Sequence, residues 1–223
     1  MTVKRWGLRR RARRERGAVA VEAAIITPVL MLLVFGIIEF AFVMRDHVAV
    51  TSAVRVGGRM ASAMPGAGPG GTNEEGDCEQ PCSPANAPMF AQIAANAVQR
   101  AGSAMPKDSI NELWVYKANT SGYPGDEANT GNVEGVDPFE SCPSNCVRYK
   151  WVDSKNQFRY LGGAWVSSTV NACLTNTDAV GVYILSTHEY VTGLFGATLP
   201  VSDHAVMSFE PMSSVNCAAG QHS

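Results

Sequence analysis

Between Ala18 and Met44 the sequence has no lysine, arginine, histidine, aspartate or cysteine, and its only ionisable residues are Glu22 and Glu39. A helix on the surface of a water-soluble domain needs a polar face, so this absence excludes that role for the segment. At ~1.5 Å rise per residue the stretch makes a helix of roughly 40 Å, longer than the ~30 Å hydrocarbon core of a bilayer. One membrane span therefore fits, with everything after Arg45 beyond it. Catalytic signatures are also missing. No Gly-x-Ser-x-Gly elbow or phosphate-binding lysine loop occurs, and His188-Glu189 lacks a second histidine at metalloprotease spacing. His47, His188, His204 and His222 are scattered. No internal repeat is present. These absences point away from an enzyme and identify no small-molecule substrate, metal or cofactor.

Charge is concentrated at one end. The first 17 residues hold eight Lys/Arg (Lys4, Arg5, Arg9, Arg10, Arg11, Arg13, Arg14, Arg16) against Glu15 alone, so this segment is expected to stay cytoplasmic. Without it, the 18 bases and 20 acids of the chain become ten and 19, and the formal charge moves from -2 to -9. So acidic a remainder argues against a nucleic-acid partner. The two acids of the span need separate explanations. A carboxylate at the centre of a membrane helix costs on the order of 2.5 to 3.5 kcal/mol, so Glu22 requires either the cytoplasmic headgroup region or a partner. Glu39 lies one and a half turns before Arg45 and is read as reaching the outer interface.

Beyond the span, Ala49, Ala53, Val56, Met60 and Ala63 recur at helical spacing while Thr51, Arg55, Arg59 and Ser62 face away, which extends the helix outward as an amphipathic segment. It can pack on its own domain or on another subunit. Residues 64–88 form a Gly/Pro-rich connector, and its Gly66-Ala67-Gly68-Pro69-Gly70-Gly71 satisfies a dinucleotide glycine pattern in form only, because no strand precedes it. Residues 90–105 predict a short helix with Phe90, Ile93, Ala94, Ala97, Val98 and Ala101 on one face, ended by Pro106. The period then changes to two. Residues 113–117, 147–152, 157–160, 180–185 and 205–209 predict strands, most clearly where Val147, Tyr149 and Trp151 alternate with Arg148 and Lys150. Residues 119–141 are rich in Gly, Asn and acids and read as a long loop. The expected fold is α+β: a long N-terminal transmembrane helix, then a disulfide-bonded ectodomain with a helix packed on an antiparallel sheet. We divide the chain into a basic leader (1–17), the helix and its extension (18–64) and an extracytoplasmic domain (65–223).

All six cysteines, Cys78, Cys82, Cys142, Cys146, Cys173 and Cys217, lie beyond the span, where oxidation is possible. We expect the pairs Cys78 with Cys82, Cys142 with Cys146, and Cys173 with Cys217. The alternative is a zinc site built from the two Cys-x-x-x-Cys pairs.

The motifs Arg-Gly-Ala-Val-Ala-Val-Glu (16–22), Thr-Pro-Val-Leu-Met-Leu-Leu (27–33) and Gly-Ile-Ile-Glu-Phe (36–40), followed by the paired glycines of 55–59, resemble the TadE-like proteins of tight-adherence (Flp-type) pilus systems. More loosely, residues 190–195 and 205–211 resemble the end of that family. The resemblance implies a pseudopilin or minor pilin whose leader is removed by a prepilin peptidase. Gly17, Ala18 and Glu22 then take the cleavage-site roles, and the new amine of Ala18 would lie four residues from Glu22. Implied partners are the membrane, the peptidase, other pilin-like subunits and assembly-platform proteins. The competing function is a membrane-tethered binding or adhesion domain with an uncleaved anchor. A conventional secretory signal cleaved at Ala61-Ser62-Ala63 fits badly, because the apolar run is about twice the length of such signals and ends well before that tripeptide. A twin-arginine signal at residues 9–11 is a further alternative.

Overall fold

The computed structural model describes residues 11–70, 86–101, 107–132, 134–193 and 195–221, with side chains from 17 onward. One helix, α1 (Arg11–Ser62), runs unbroken through the apolar stretch and its extension. In a bilayer the backbone must satisfy its own hydrogen bonds, which a continuous helix does. Pro28 sits inside it without ending it, and Thr27 Oγ1 donates to the Ala23 carbonyl at 2.7 Å one turn back. The helix has two environments. Up to about Phe40 its large apolar side chains are exposed, whereas from Asp46 onward one side is buried by the rest of the chain.

The remainder is an α+β domain. Helix α2 (Met89–Ala101) precedes β1 (Ile110–Ala118), β2 (Cys146–Val152) and β3 (Gln157–Ala164). A small hairpin, β4 (Ala172–Cys173) with β5 (Asn176–Thr177), leads into the long strands β6 (Ala179–Glu189) and β7 (Thr198–Ser208). The five main strands form an antiparallel sheet in the order β3-β2-β1-β6-β7, so β1 lies at its centre. All five strands expected from the period-two pattern are present, most of them longer than expected. The expected continuation of α2 to residue 105 and its stop at Pro106 lie outside the described residues.

The two faces of the sheet follow from alternation. Leu113, Val115, Val147, Tyr149, Val180, Val182 and Ile184 are fully buried on one face and pack with Val50, Val54, Ala94 and Val98 of the two helices. At the far end of this core Phe90 meets Trp165 edge-on at 4.9 Å and Phe209 at 5.1 Å. The other face carries Trp114, Tyr116, Cys146 and Tyr183, and it is covered by the long loop after β1 rather than by a helix. Phe139 from that loop stacks on Tyr183 at 3.9 Å. The loop is organised by polar side chains. Asn119 accepts hydrogen bonds from the Ser121 and Tyr123 amides, while Asn129 Nδ2 donates to the Pro124 and Pro138 carbonyls.

The expected stripe on the outer part of α1 is displaced. The buried residues are Ala49, Val50, Ala53, Val54, Gly57, Gly58, Ala61 and Ser62, while Val56 and Met60 are half-buried and Ala63 is exposed. Bulk guided the expectation, but close approach to the sheet selects the smallest residues. A Cβ on Gly57 would sit 2.9 Å from Val98 Cγ2 and 3.3 Å from Val182 Cγ1. Ser62, expected to face outward, is buried where its carbonyl accepts the Glu210 amide at 2.8 Å. Helix α2 is likewise buried more widely than expected, with Ala91 and Ala95 covered and Ile93 only half so.

Two of the expected disulfides are formed, Cys142–Cys146 and Cys173–Cys217. Cys78 and Cys82 lie outside the described residues. So does Gly71; of the rest of the glycine run, Gly66 lies in a turn, Gly68 is at φ 76°, and the adjoining Pro69 bridges Pro88.

Candidate functional site

The part of the chain on which function turns is α1 and the collar of residues that holds its outer half. Gly17, Ala18 and Glu22 all lie in the exposed part of the helix. The Gly17–Ala18 bond is within the continuous helix, and a Cβ built on Gly17 meets nothing within 4 Å. Glu22 stands one turn beyond Ala18, on the same face at i, i+4 spacing. Among the described residues it makes no hydrogen bond or ion pair. One helix of the described chain, within Gly17–Ser62, is long and apolar enough to cross a membrane, and its most apolar window is wholly unburied.

Glu39, read from the sequence as reaching the outer interface, is 1% exposed and folded under the loop between β6 and β7. Its Oε1 accepts hydrogen bonds from the Thr192 amide at 2.5 Å and the Thr192 hydroxyl at 2.6 Å, and its Oε2 accepts from the Val191 amide at 3.2 Å. Three donors from one loop satisfy the Glu39 carboxylate, which is how a buried acid becomes tolerable. The sequence signal was the acid itself, isolated in an apolar run. What could not be read was its partner, some 150 residues away.

Further along α1 the contacts continue at intervals of one to two turns. Asp46 Oδ2 lies 2.6 Å from Nδ1 of His188 on β6, with both groups buried, and Asp46 Oδ1 also takes the exposed Arg45 guanidinium at 3.0 Å. The His188 Nε2 is buried and has no hydrogen-bond partner. The Asp46–His188 pair therefore works as a cross-link between helix and sheet. Thr51 donates to Asp203 Oδ2 on β7 at 2.6 Å. Gly58 lies against Met207 of the same strand, so the paired glycines divide their contacts: Gly57 meets α2 and β6, and Gly58 meets β7.

A cleft of about 590 Å³ opens beside the Asp46–His188 pair, lined by Phe42, Arg45, Asn111, Thr187 and Glu189 among others. The other histidines are not drawn to it. His47 is exposed and within 3.3 Å of the Thr51 hydroxyl, while His204 lies on the opposite face of the sheet beside Tyr123 and Phe139. Burial holds the His204 imidazole below its ordinary range, against the smaller upward pull of the Asp203 carboxylate. His222 lies outside the described residues. Among those described, no three potential ligands come together to hold a metal ion.

The site thus consists of an apolar helix that is bare for about five turns from Gly17 and held to its own domain thereafter. The TadE-like protein family model matches residues 17–59, about a fifth of the chain, and bears out the resemblance read from the motifs. The matched segment begins at Gly17 and ends at Arg59, so it covers both the bare part and most of the held part. No curated protein and no solved structure matches the chain.

Proposed function

We propose that the chain is a pilin-like structural subunit, a pseudopilin or minor pilin, of a tight-adherence pilus assembly or secretion system. It is anchored by α1, with the basic leader in the cytoplasm and the domain from 65 onward outside. A prepilin peptidase cuts between Gly17 and Ala18. The observation that carries the reading is the match of residues 17–59 to the TadE-like family, coinciding with a helix whose inner half is apolar and has no partner among the described residues. Burying that half against neighbouring helices, in a bundle or a membrane, satisfies it. Glu22 then has a role. With Ala18 as the new first residue, the carboxylate one turn along pairs with the α-amine of its own chain or of a neighbouring subunit, in surroundings where such a contact is worth much more than in water. We assign the protein a structural and not an enzymatic role, with other pilin-like subunits and the assembly platform as partners.

Glu22→Val tests this mechanism. The variant makes the helix more apolar, so membrane insertion should be retained, and Gly17 should still direct cleavage. We expect it in the membrane fraction, processed and folded, but lost from pull-downs of pilin-like or platform partners that capture the parent chain. Undiminished partner association would remove Glu22 from the mechanism. Failure of the parent chain itself to associate with any pilus component would favour the tethered binding domain instead.

A further inference from the structure

The loop joining β6 to β7 is exposed in an unusual way. Val191 and Phe195 are 72% and 57% exposed, yet they sit beside the apolar helix and not out at the far end of the domain. Phe195 rests against Gly36, where a Cβ would lie 3.6 Å from its Cζ, and Val191 and Thr192 turn their amides inward to Glu39. The loop closes with the Tyr190 amide donating to the Ala197 carbonyl at 3.1 Å, and it turns through Gly193 and Gly196, both at positive φ.

Depth follows from helix geometry. A span needs about 20 residues to cross ~30 Å of hydrocarbon. Counted from Ala18 it ends near Ile37, and counted from Ala23, past Glu22, it ends near Phe42. Gly36 lies inside on either count, and so does the ring of Phe195 packed against it. On the helix, Ile37 and Phe40 are 71% and 64% exposed at this level, and their apolar surface runs on into that of Val191 and Phe195. Polar groups begin just outward, with Arg45 over the Phe42 ring at 5.5 Å and Asp46 following.

We propose that Val191 and Phe195, from the loop between β6 and β7, form a second membrane-seated element that enters the outer leaflet beside α1. Its partner is the lipid bilayer. The Glu39 contacts support this: the Val191 and Thr192 amides are taken by the carboxylate, and the Val191 and Phe195 side chains are left facing lipid. The helix acid and the loop amides thus remove one another's desolvation cost at the same depth. The hairpin fixes the domain's tilt and rotation on the membrane, which a single span cannot do. The inference rests on α1 spanning the bilayer and is independent of the pilin assignment.

The test is nitroxide accessibility in the full chain reconstituted into phosphatidylcholine vesicles, labelled singly at Val191→Cys or Phe195→Cys, with background labelling of the parent chain subtracted. Ile26→Cys in mid-helix and Val215→Cys, 74% exposed on the domain, serve as lipid and water references. Both loop labels should favour oxygen over a water-soluble nickel chelate, as Ile26 does and in contrast to Val215. The Val191 label leaves Phe195 in place, so it reports on the loop even where loss of the ring disturbs it. If the loop labels behave like Val215, or are reached by neither reagent, while Ile26 remains lipid-exposed, the proposal is overturned and the span stands. A water-exposed Ile26 would overturn both.

Discussion

Glu39 and Thr192, 153 positions apart in sequence, are joined twice, by the Thr192 amide and hydroxyl to one carboxylate oxygen. This contact ties the end of the apolar helix to the far end of the sheet. A carboxylate takes both donors, whereas an aliphatic side chain leaves the amides unpaired. In Glu39→Val the Val191 and Thr192 amides should exchange with deuterium severalfold faster than in the parent chain, while the β1 amides at the sheet centre remain protected. Hydrogen exchange read by mass spectrometry on the full chain checks this.

The neighbouring glycines of α1 should respond in opposite directions. Ala gains about 1 kcal/mol over Gly inside a helix. At Gly58 the new methyl meets flexible Met207 no closer than 3.4 Å, so Gly58→Ala should raise the melting temperature. At Gly57 the methyl would press on Val98 and Val182, both fully buried. Overpacking costs about 1 to 3 kcal/mol, so Gly57→Ala should be neutral to destabilising and Gly57→Val clearly destabilising. Thermal unfolding of the three variants in one detergent gives the comparison.

The two described disulfides close loops of very different length, with separations of 4 and 44 residues. On the chain-entropy account these contribute about 2 and about 4 kcal/mol. The long bridge also fixes the C-terminal segment, where the Ala172 amide donates to the Cys217 carbonyl at 2.8 Å. The double variant Cys173→Ser/Cys217→Ser should therefore lose more stability than Cys142→Ser/Cys146→Ser, as judged by denaturant midpoints under non-reducing conditions.

His204 gives a pH signature. Its folded-state pKa lies below the ordinary value because burial among aromatic rings disfavours the imidazolium. The unfolded chain then binds the proton more readily, so stability should fall as pH drops through the ordinary histidine range near ~6.5 and level off below the folded-state pKa. His204→Phe should flatten this part of the profile. Melting temperatures of both proteins between about pH 5 and 8 decide it, and an unchanged slope would mean the charge is accommodated.

Much of this architecture was legible where local chemistry decides it. Alternation at Val147, Tyr149 and Trp151 marks a strand, and the apolar run from Ala18 marks the helix, because both periods are properties of the backbone. The two described cysteine pairs were also anticipated. What escaped depends on distant residues. The central position of β1, the cover that Phe139 gives the second face, and the capture of Glu39 by Thr192 all rest on contacts across the chain. The buried face of outer α1 differs from the expected stripe because periodicity weighs apolar bulk, while Gly57 and Gly58 matter through having none. For the functional site, Glu22 stands out as an acid in an apolar run and Gly17 and Ala18 through the family resemblance, but their exposure on the helix carries no sign of what meets them.

The central claim is that α1 is a pilin-type helix released from its leader, and the mature N-terminus tests it most directly. The full chain should be expressed in cells with and without its cognate prepilin peptidase, recovered from membranes and measured by intact mass and N-terminal peptide mapping. The account predicts a chain beginning at Ala18 only when the peptidase is present. A chain that keeps residues 1–17 in the presence of active peptidase, or one that begins at Met64, would contradict it.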